Sequence, residues 1–297
     1  MNESRIEKNQ DITDEIEKEE RKQKIKKITK KSLIIGIPII VFISLTYFIL
    51  RVVGNMGIIV REYPVYKDTL PNDFNGFKII QFSDIHYNST SSINTIKNVV
   101  NLINKTNPDI VLFTGDLIDS DYQIDDSTIE TIMSEFNSIN AKIGKYAIRG
   151  EEDNENFNKV FNNSNFKILE NTVEKIYLNN SSLDLLVLDE TYTKENITGY
   201  NNEVFTIAVI HKPDLSDRIM NDFNPQIIVA GHSHNGQIVL PLIGALMRKE
   251  GAKKYPSSHY IINNTDLYVS GGIGNSENNF RLFNHPSINF YRLRTSK

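Results

Sequence analysis

Four times in this chain a short apolar run stops at an acid or an imidazole. Phe77–Phe82 leads into Asp84-Ile85-His86, and Asp109–Thr114 into Gly115-Asp116-Leu117-Ile118-Asp119. Val204–Ile210 ends at His211, and Ile227–Ala230 at Gly231-His232-Ser233-His234. Four of the six histidines fall in these segments. Each run is rich in β-branched or aromatic residues and bounded by turn residues, the pattern of a buried strand. Strands buried side by side deliver their carboxyl-terminal ends to one edge of a sheet. The chain is thereby restricted to an α/β architecture whose acids and imidazoles converge.

The segments between these runs support that reading. Ser92–Lys105, Ser127–Ile139 and Glu155–Phe161 have helical spacing, and Lys145–Arg149 reads as a further strand. Alternating β and α units predict a largely parallel sheet. After Phe166 helix becomes scarce. Strands are expected at Val173–Tyr177, Leu183–Leu188, Ile238–Leu240, His259–Ile262, Leu267–Ser270 and Ile288–Leu293, with one short helix at Leu215–Asp222. A parallel first half and a more antiparallel second half predict two sheets packed face to face, with helices outside.

The N-terminal part follows a different logic. Residues 1–31 are almost wholly polar, acidic at first and then basic, with Arg21, Lys22, Lys24, Lys26, Lys27, Lys30 and Lys31 and no acid among them. Leu33 to Leu50 carries no charge and is apolar. A bilayer core needs about 20 helical residues, with a range down to about 17. The stretch suffices when Val52 and Val53 join it beyond a snorkelling Arg51. A cleavable signal would want a shorter apolar core and a small-residue cleavage site, which Val52-Val53-Gly54-Asn55 supplies poorly. The expectation is an uncleaved single-pass anchor at 32–53 in the cell membrane. The basic cluster before it predicts a cytoplasmic charged tail at 1–31 and an extracytoplasmic remainder. Residues 54–75, with Tyr63-Pro64 and Leu70-Pro71, read as a connecting segment, and 76–297 as the folded domain.

The 297 residues suffice for one large domain plus this appendage. With no cysteine, a disulfide partner and thiolate ligands are excluded, so a metal must be held by carboxylates, amides and imidazoles. The net charge of −4 and the lack of a basic stripe beyond the anchor exclude nucleic acid as the expected partner. Asp84 and His86, and again His232 and His234, stand two residues apart, so at a strand's end both members of a pair can turn toward one ion. Asp116 follows a glycine that permits a close turn, and a carboxylate there can bridge two ions. Two metals about 3.5–4 Å apart clamp a phosphate, lower the pKa of a bridging water and stabilise the leaving oxygen.

Taken in order, Asp84-x-His86, Gly115-Asp116-x-x-Asp119, the glycine-led segment at Gly150, His211 and Gly231-His232-x-His234 resemble the calcineurin-like metallophosphoesterase superfamily. Gly231-His232-Ser233-His234-Asn235-Gly236-Gln237 and Tyr268-Val269-Ser270-Gly271-Gly272-Ile273-Gly274 are similar to a membrane-anchored bacterial subgroup with an extracytoplasmic catalytic domain. The likeness spans roughly residues 60–297. It implies a four-layer α/β/β/α sandwich of two mixed sheets, two divalent ions (Mn, Fe or Zn), and hydrolysis of phosphomonoester, phosphodiester or pyrophosphate bonds. Some relatives act on a phosphorylated lipid or nucleotide-sugar, which makes a lipid or cell-envelope substrate the expected partner here. By position, Asp84, His86 and His234 would hold one metal. Asp116 would bridge, and His211, His232 and the residue after Gly150 would hold the second.

One motif departs from the family. Where the family has Gly-Asn-His-Asp/Glu, this chain has Gly150-Glu151-Glu152-Asp153. Glu151 can replace the asparagine as a metal ligand, with a stronger oxygen donor and one more negative charge. Glu152 stands where the family's histidine helps the leaving group depart, and can act as a catalytic acid only when protonated. Losing a general acid costs roughly 10²–10⁴-fold in rate. The alternative reading of the three acids is a solvated turn. Two functions therefore compete: an active phosphoesterase, and a metal-binding but catalytically weak relative that binds a phosphorylated envelope component or a partner protein. His259 and His285 lie outside the motifs and read as structural or surface residues; Asn235 and Gln237 are expected to line the cleft.

Overall fold

The computed structural model describes residues 3–88, 91–275 and 279–296. The chain divides into two compact units, residues 1–49 and 50–297. In the first, one helix, α1 (Glu3–Arg51), runs unbroken across the boundary expected between tail and anchor. It contains an 18-residue window of mean hydropathy 2.7, none of it buried, and is long and apolar enough to cross a membrane.

The second unit holds fourteen strands among the described residues: β1 (Ile59–Lys67), β2 (Lys78–Phe82), β3 (Ile110–Thr114), β4 (Gly144–Ile148), β5 (Lys167–Ile168), β6 (Thr172–Leu178), β7 (Ser181–Val187), β8 (Thr206–Val209), β9 (Ile227–Ala230), β10 (Val239–Leu240), β11 (Gly244–Ala245), β12 (His259–Ile262), β13 (Thr265–Val269) and β14 (Ser287–Thr295). Four helices accompany them: α2 (Ile93–Thr106), α3 (Asp126–Asn137), α4 (Glu155–Phe161) and α5 (Ser216–Asp222). The helix ends follow local chemistry. α2 stops at Asn107, whose φ of 50° is left-handed and which precedes Pro108. α3 starts on Asp125, whose carboxylate accepts the Thr128 N–H at 2.7 Å.

One sheet has the order β1-β14-β2-β3-β4-β5, the other β12-β13-β9-β8-β7-β6. Both are mixed. Neighbouring residues on β2 and β3 point to opposite faces and are buried on both, which is why these strands read as continuous apolar runs. Ile80, Phe82, Val111 and Phe113 pack with Ile96, Phe136 and Phe161 of α2, α3 and α4. Ile79 and Leu112 pack between the sheets against Leu185, Val209 and Val229. Leu186, Ala208 and Ile228 face Ile219 of α5 and Phe223. The three cores separate four layers, as the α/β/β/α expectation requires.

Two expectations are corrected. The second sheet is not predominantly antiparallel: β13, β9, β8 and β7 run parallel, and only the edge strands β12 and β6 reverse. Its crossovers are loops and the short α5 rather than long helices, so the helix signal that marks a parallel sheet was weak. Residues 54–75 are no linker either. They contain β1, which pairs in parallel with β14 over its whole length, and they bury Val65, Leu70 and Phe74. Pro64 is tolerated because β1 is an edge strand, where a missing N–H leaves no ladder bond unmade.

Candidate metal centre

The common logic of the site is that every candidate ligand follows a strand. Asp84 and His86 follow β2, Asp116 follows β3, Glu151 follows β4, His211 follows β8, and His232 and His234 follow β9. These are adjacent parallel strands in each sheet, so their carboxyl ends meet across the sandwich. The loops are stitched together by the backbone: Asp84 N–H donates to Gly115 O at 2.8 Å, and His232 N–H to Asp84 Oδ1 at 2.9 Å. Gly150 admits the close approach, since a Cβ there would lie 2.1 Å from Asp116 Oδ1.

Two buried triads result, Asp84/His86/His234 and Asp116/His211/His232, with ligand atoms in each within 4.8 Å of one another. Asp116 Oδ2 lies 3.2 Å from His211 Nε2 and 3.6 Å from His86 Nε2, so it stands between the triads. Five of the six residues, Asp84, His86, Asp116, His232 and His234, have left-handed φ between 45° and 66°. Each such residue stores roughly 1–3 kcal/mol of strain, which persists only where the surroundings over-determine it, and clusters at functional sites.

The histidine tautomers test the fit to metal. His211 Nδ1–H donates to Thr114 O at 2.8 Å, and His232 Nε2–H to Glu250 O at 2.6 Å. Carbonyls only accept, so in the neutral imidazoles the lone pairs sit on His211 Nε2 and His232 Nδ1, buried atoms whose polar neighbours are the carboxylates of Asp116 and Glu151 at 3.2 and 3.3 Å. His86 Nδ1–H donates to Asp119 Oδ1 at 2.7 Å and presents Nε2, which stands 3.2 Å from His234 Nε2. An acceptor behind an imidazole that aims a bare nitrogen inward is the support a ligating histidine needs. His234 differs: behind its Nδ1, at 3.2 Å, is the donor Arg281. Three of the four imidazoles thus pass the test for a metal ligand, and proximity alone places His234 with Asp84 and His86.

Charge is balanced within the triads. Burial resists ionisation of Asp116, but His211 and His86 hold its carboxyl well below the usual range. Burial likewise opposes charge on His211 and His86, yet the neighbouring acids raise both. Burial and neighbouring cations lower His232 and His234. Each triad thus pairs one imidazole that favours a proton with one that rejects it.

The variant segment is built in. Glu151 Oε1 lies 3.3 Å from His232 Nδ1, the unpartnered nitrogen, and its Oε2 lies 3.1 Å from Lys212 Nζ. Glu152 N–H donates to Asp116 Oδ1 at 3.0 Å, while its carboxylate accepts from Ser120 N at 3.1 Å and Ser120 Oγ at 2.5 Å. Asp153 is not part of a solvated turn. It accepts the N–H groups of Gly150, Asp116 and Leu117 at 2.8–2.9 Å, and burial together with Asp116 pushes its carboxyl up to about 6. Sequence reasoning missed Lys212 and Arg281. Arg281 is fully buried and donates to the carbonyls of Gly271 and Gly274 at 2.7 and 2.6 Å. Asn235 and Gln237 brace Asn284 and Asn275. His259 pairs with Asp266 on an edge strand, outside the two triads.

The comparisons agree with this geometry. The chain is 28% identical over 248 residues to the uncharacterized metallophosphoesterase YkuE of Bacillus subtilis, covering 79% of this chain and 85% of that protein. It is 22% identical to the phosphodiesterase YaeI of Escherichia coli, over 73% of this chain and 82% of the other. A transmembrane protein with a metallophosphoesterase domain from Danio rerio is 25% identical over 72% of this chain, which spans about half (52%) of that relative. Calcineurin-like phosphoesterases use a dinuclear metal site, and the two triads supply candidate ligands for one. Residues 77–236, more than half of the sequence, match the calcineurin-like phosphoesterase family, and the chain belongs to it.

Proposed function

We propose that this chain is a metal-dependent hydrolase of phosphoester, phosphodiester or pyrophosphate bonds in a phosphorylated lipid, nucleotide-sugar or cell-envelope substrate, working outside the cytoplasm from a single membrane anchor. The observation that carries it is the pair of buried imidazole nitrogens, His211 Nε2 and His232 Nδ1, which face the carboxylates of Asp116 and Glu151 at 3.2 and 3.3 Å. Asp84, His86 and His234 are assigned to one divalent ion, and Asp116, His211, His232 and Glu151 to the other, with Asp116 shared. Two such ions (Mn, Fe or Zn) supply positive charge for a phosphate and a nucleophile at neutral pH.

The chain's own residues orient and balance. Asp119, Thr114 and Glu250 fix the tautomers of His86, His211 and His232. Asp153 pins the Gly150 loop to the Asp116 loop. Lys212 offsets the charge that Glu151 adds, which favours a working site for an anionic substrate. Glu152, whose Oε2 accepts from Ser120, is assigned to the leaving group. The second reading, a metal-holding but catalytically weak binder, is favoured by that same Ser120 contact, because it uses Glu152 as an acceptor.

Turnover of bis-p-nitrophenyl phosphate and p-nitrophenyl phosphate by the full chain in detergent, with metal content assayed on the same sample, tests the proposal. Metal-dependent turnover that Asp116→Ala abolishes is the expected result. Bound metal with no turnover of either ester supports the second reading.

A further inference from the structure

We infer that the β10–β11 hairpin is a second membrane contact, which seats the catalytic end of the domain on the bilayer; the inference rests on reading α1 as a membrane span. The hairpin leaves the chain directly after His234. Its tip, Pro241-Leu242-Ile243, is apolar, and Leu242, Ile243 and Leu246 are 107%, 67% and 51% exposed. Leu242 has a φ of 69°, a left-handed position where glycine or asparagine costs less than a bulky leucine. An apolar side chain kept at such a point, facing water, has no folding rationale. Clustered exposed apolar groups of this kind mark interaction surfaces.

Hydrogen bonds tie the hairpin's root to the end of the apolar stretch. Arg281 N–H donates to Leu50 O at 3.0 Å, and the next residue, Leu282, donates to Gln237 O at 3.2 Å and accepts from Val239 N–H at 3.0 Å. Gly54 lies so close that a Cβ would meet Arg281 O at 1.9 Å. Phe283, next along this segment, is itself 68% exposed, and so is Met56, at 63%. Gly236 locks the hairpin to the metal loop, since a Cβ there would lie 2.4 Å from that of Ala245. The hairpin, the residues following the span and the His234 loop are therefore one rigidly bonded end of the domain.

The bilayer suits this surface better than a protein does. β10 and β11 have two residues each, too short an edge for strand addition. Arg248 follows Leu246-Met247 close behind the apolar tip in the sequence, while Lys249 lies close enough to His234 to act on its charge. An apolar tip backed by an arginine matches acyl chains beneath anionic headgroups. The covalent span keeps that surface within reach at all times.

The chain's lack of cysteine makes the test clean. Full-length Leu242→Cys, Asn180→Cys and Ile40→Cys would each carry an environment-sensitive fluorophore in phosphatidylglycerol/phosphatidylcholine nanodiscs. Asn180 lies in the exposed turn before β7, at the sheet end opposite the metal loops. The expected result is that lipid-borne nitroxide quenches the labels at 40 and 242 several-fold more than at 180, while aqueous iodide quenches only 180. A label at 242 that iodide reaches, with 40 still in lipid, overturns the hairpin inference and leaves the anchor standing. A label at 242 shielded from both quenchers indicates a protein partner and also overturns it. Iodide access at 40 overturns the membrane reading itself.

Discussion

Lys212 explains how the site tolerates Glu151. Glu151 in place of the family's asparagine adds a negative charge, and the Lys212 ammonium, 3.1 Å from Glu151 and equally from Glu190, offsets part of it. Glu151→Asn should therefore lower the metal content of the second site, read by elemental analysis after limited chelation. Lys212→Met should leave metal bound but raise KM for bis-p-nitrophenyl phosphate about ten- to a hundredfold, since a hydrogen bond to a charged group contributes about 1.5–3 kcal/mol. An unchanged KM would show that the lysine is structural. At this scale the candidate ligands were readable, because Asp, His and Gly recur at fixed offsets behind apolar runs. Their supports were not. Thr114 and Glu250 act through backbone carbonyls, which no side-chain pattern records, and Asp153 was hidden inside an acidic run that looked solvated.

The same residues set a pH dependence. His86 and His211 favour protons in the metal-free chain, so metal must displace them, and affinity falls as pH falls. The sign for stability follows separately. A folded-state pKa raised above the ordinary 6.5 contributes stability that is complete below 6.5 and is lost as pH rises through the raised value. Asp116, held low, contributes throughout this window and loses its contribution only in strong acid. The gap in melting temperature between loaded and chelated protein should therefore widen between about pH 6 and pH 8. A gap that narrows would mean that other groups hold those protons.

Among the elements, strands buried on both faces were legible, as were the edge strands β6 and β12, but the edge strand β1 was not. β2, β3 and β9 are continuous apolar runs because helices cover one face and the partner sheet the other. β1 alternates exposed and half-buried residues and contains a proline, so its sequence looks like a connection. Its energetic weight lies in Val65 and the half-buried Tyr63, which pack against the inter-sheet core, and in nine paired positions along β14. A chain starting at Asp68 should lose at least about 3 kcal/mol from those two side chains and expose β14 as an aggregation-prone edge. A chain starting at Val52 should keep the fold. Thermal melts followed by circular dichroism separate the two, and equal melting temperatures would return residues 54–75 to the status of a linker.

For the whole molecule, the governing asymmetry is charge along α1. Seven cations lie between Arg21 and Lys31, on the N-terminal side of the apolar stretch, and Arg51 is the single charge at its other end. Lys and Arg close to a span resist translocation, so on the proposed topology this bias would keep the tail in the cytoplasm and the metal centre outside. The same argument fixes what should happen when the bias is removed. A C-terminal alkaline phosphatase fusion, active only outside the cytoplasm, should be active on the native chain. Replacing Lys26, Lys27, Lys30 and Lys31 with glutamine leaves Arg51 and the domain's own cations to compete, so the fusion should lose a large part of its activity while staying in the membrane fraction. Full activity in that variant would mean that the tail's charge does not orient the protein. Loss of membrane association would mean that the cations, rather than the 18 apolar residues, were holding it there.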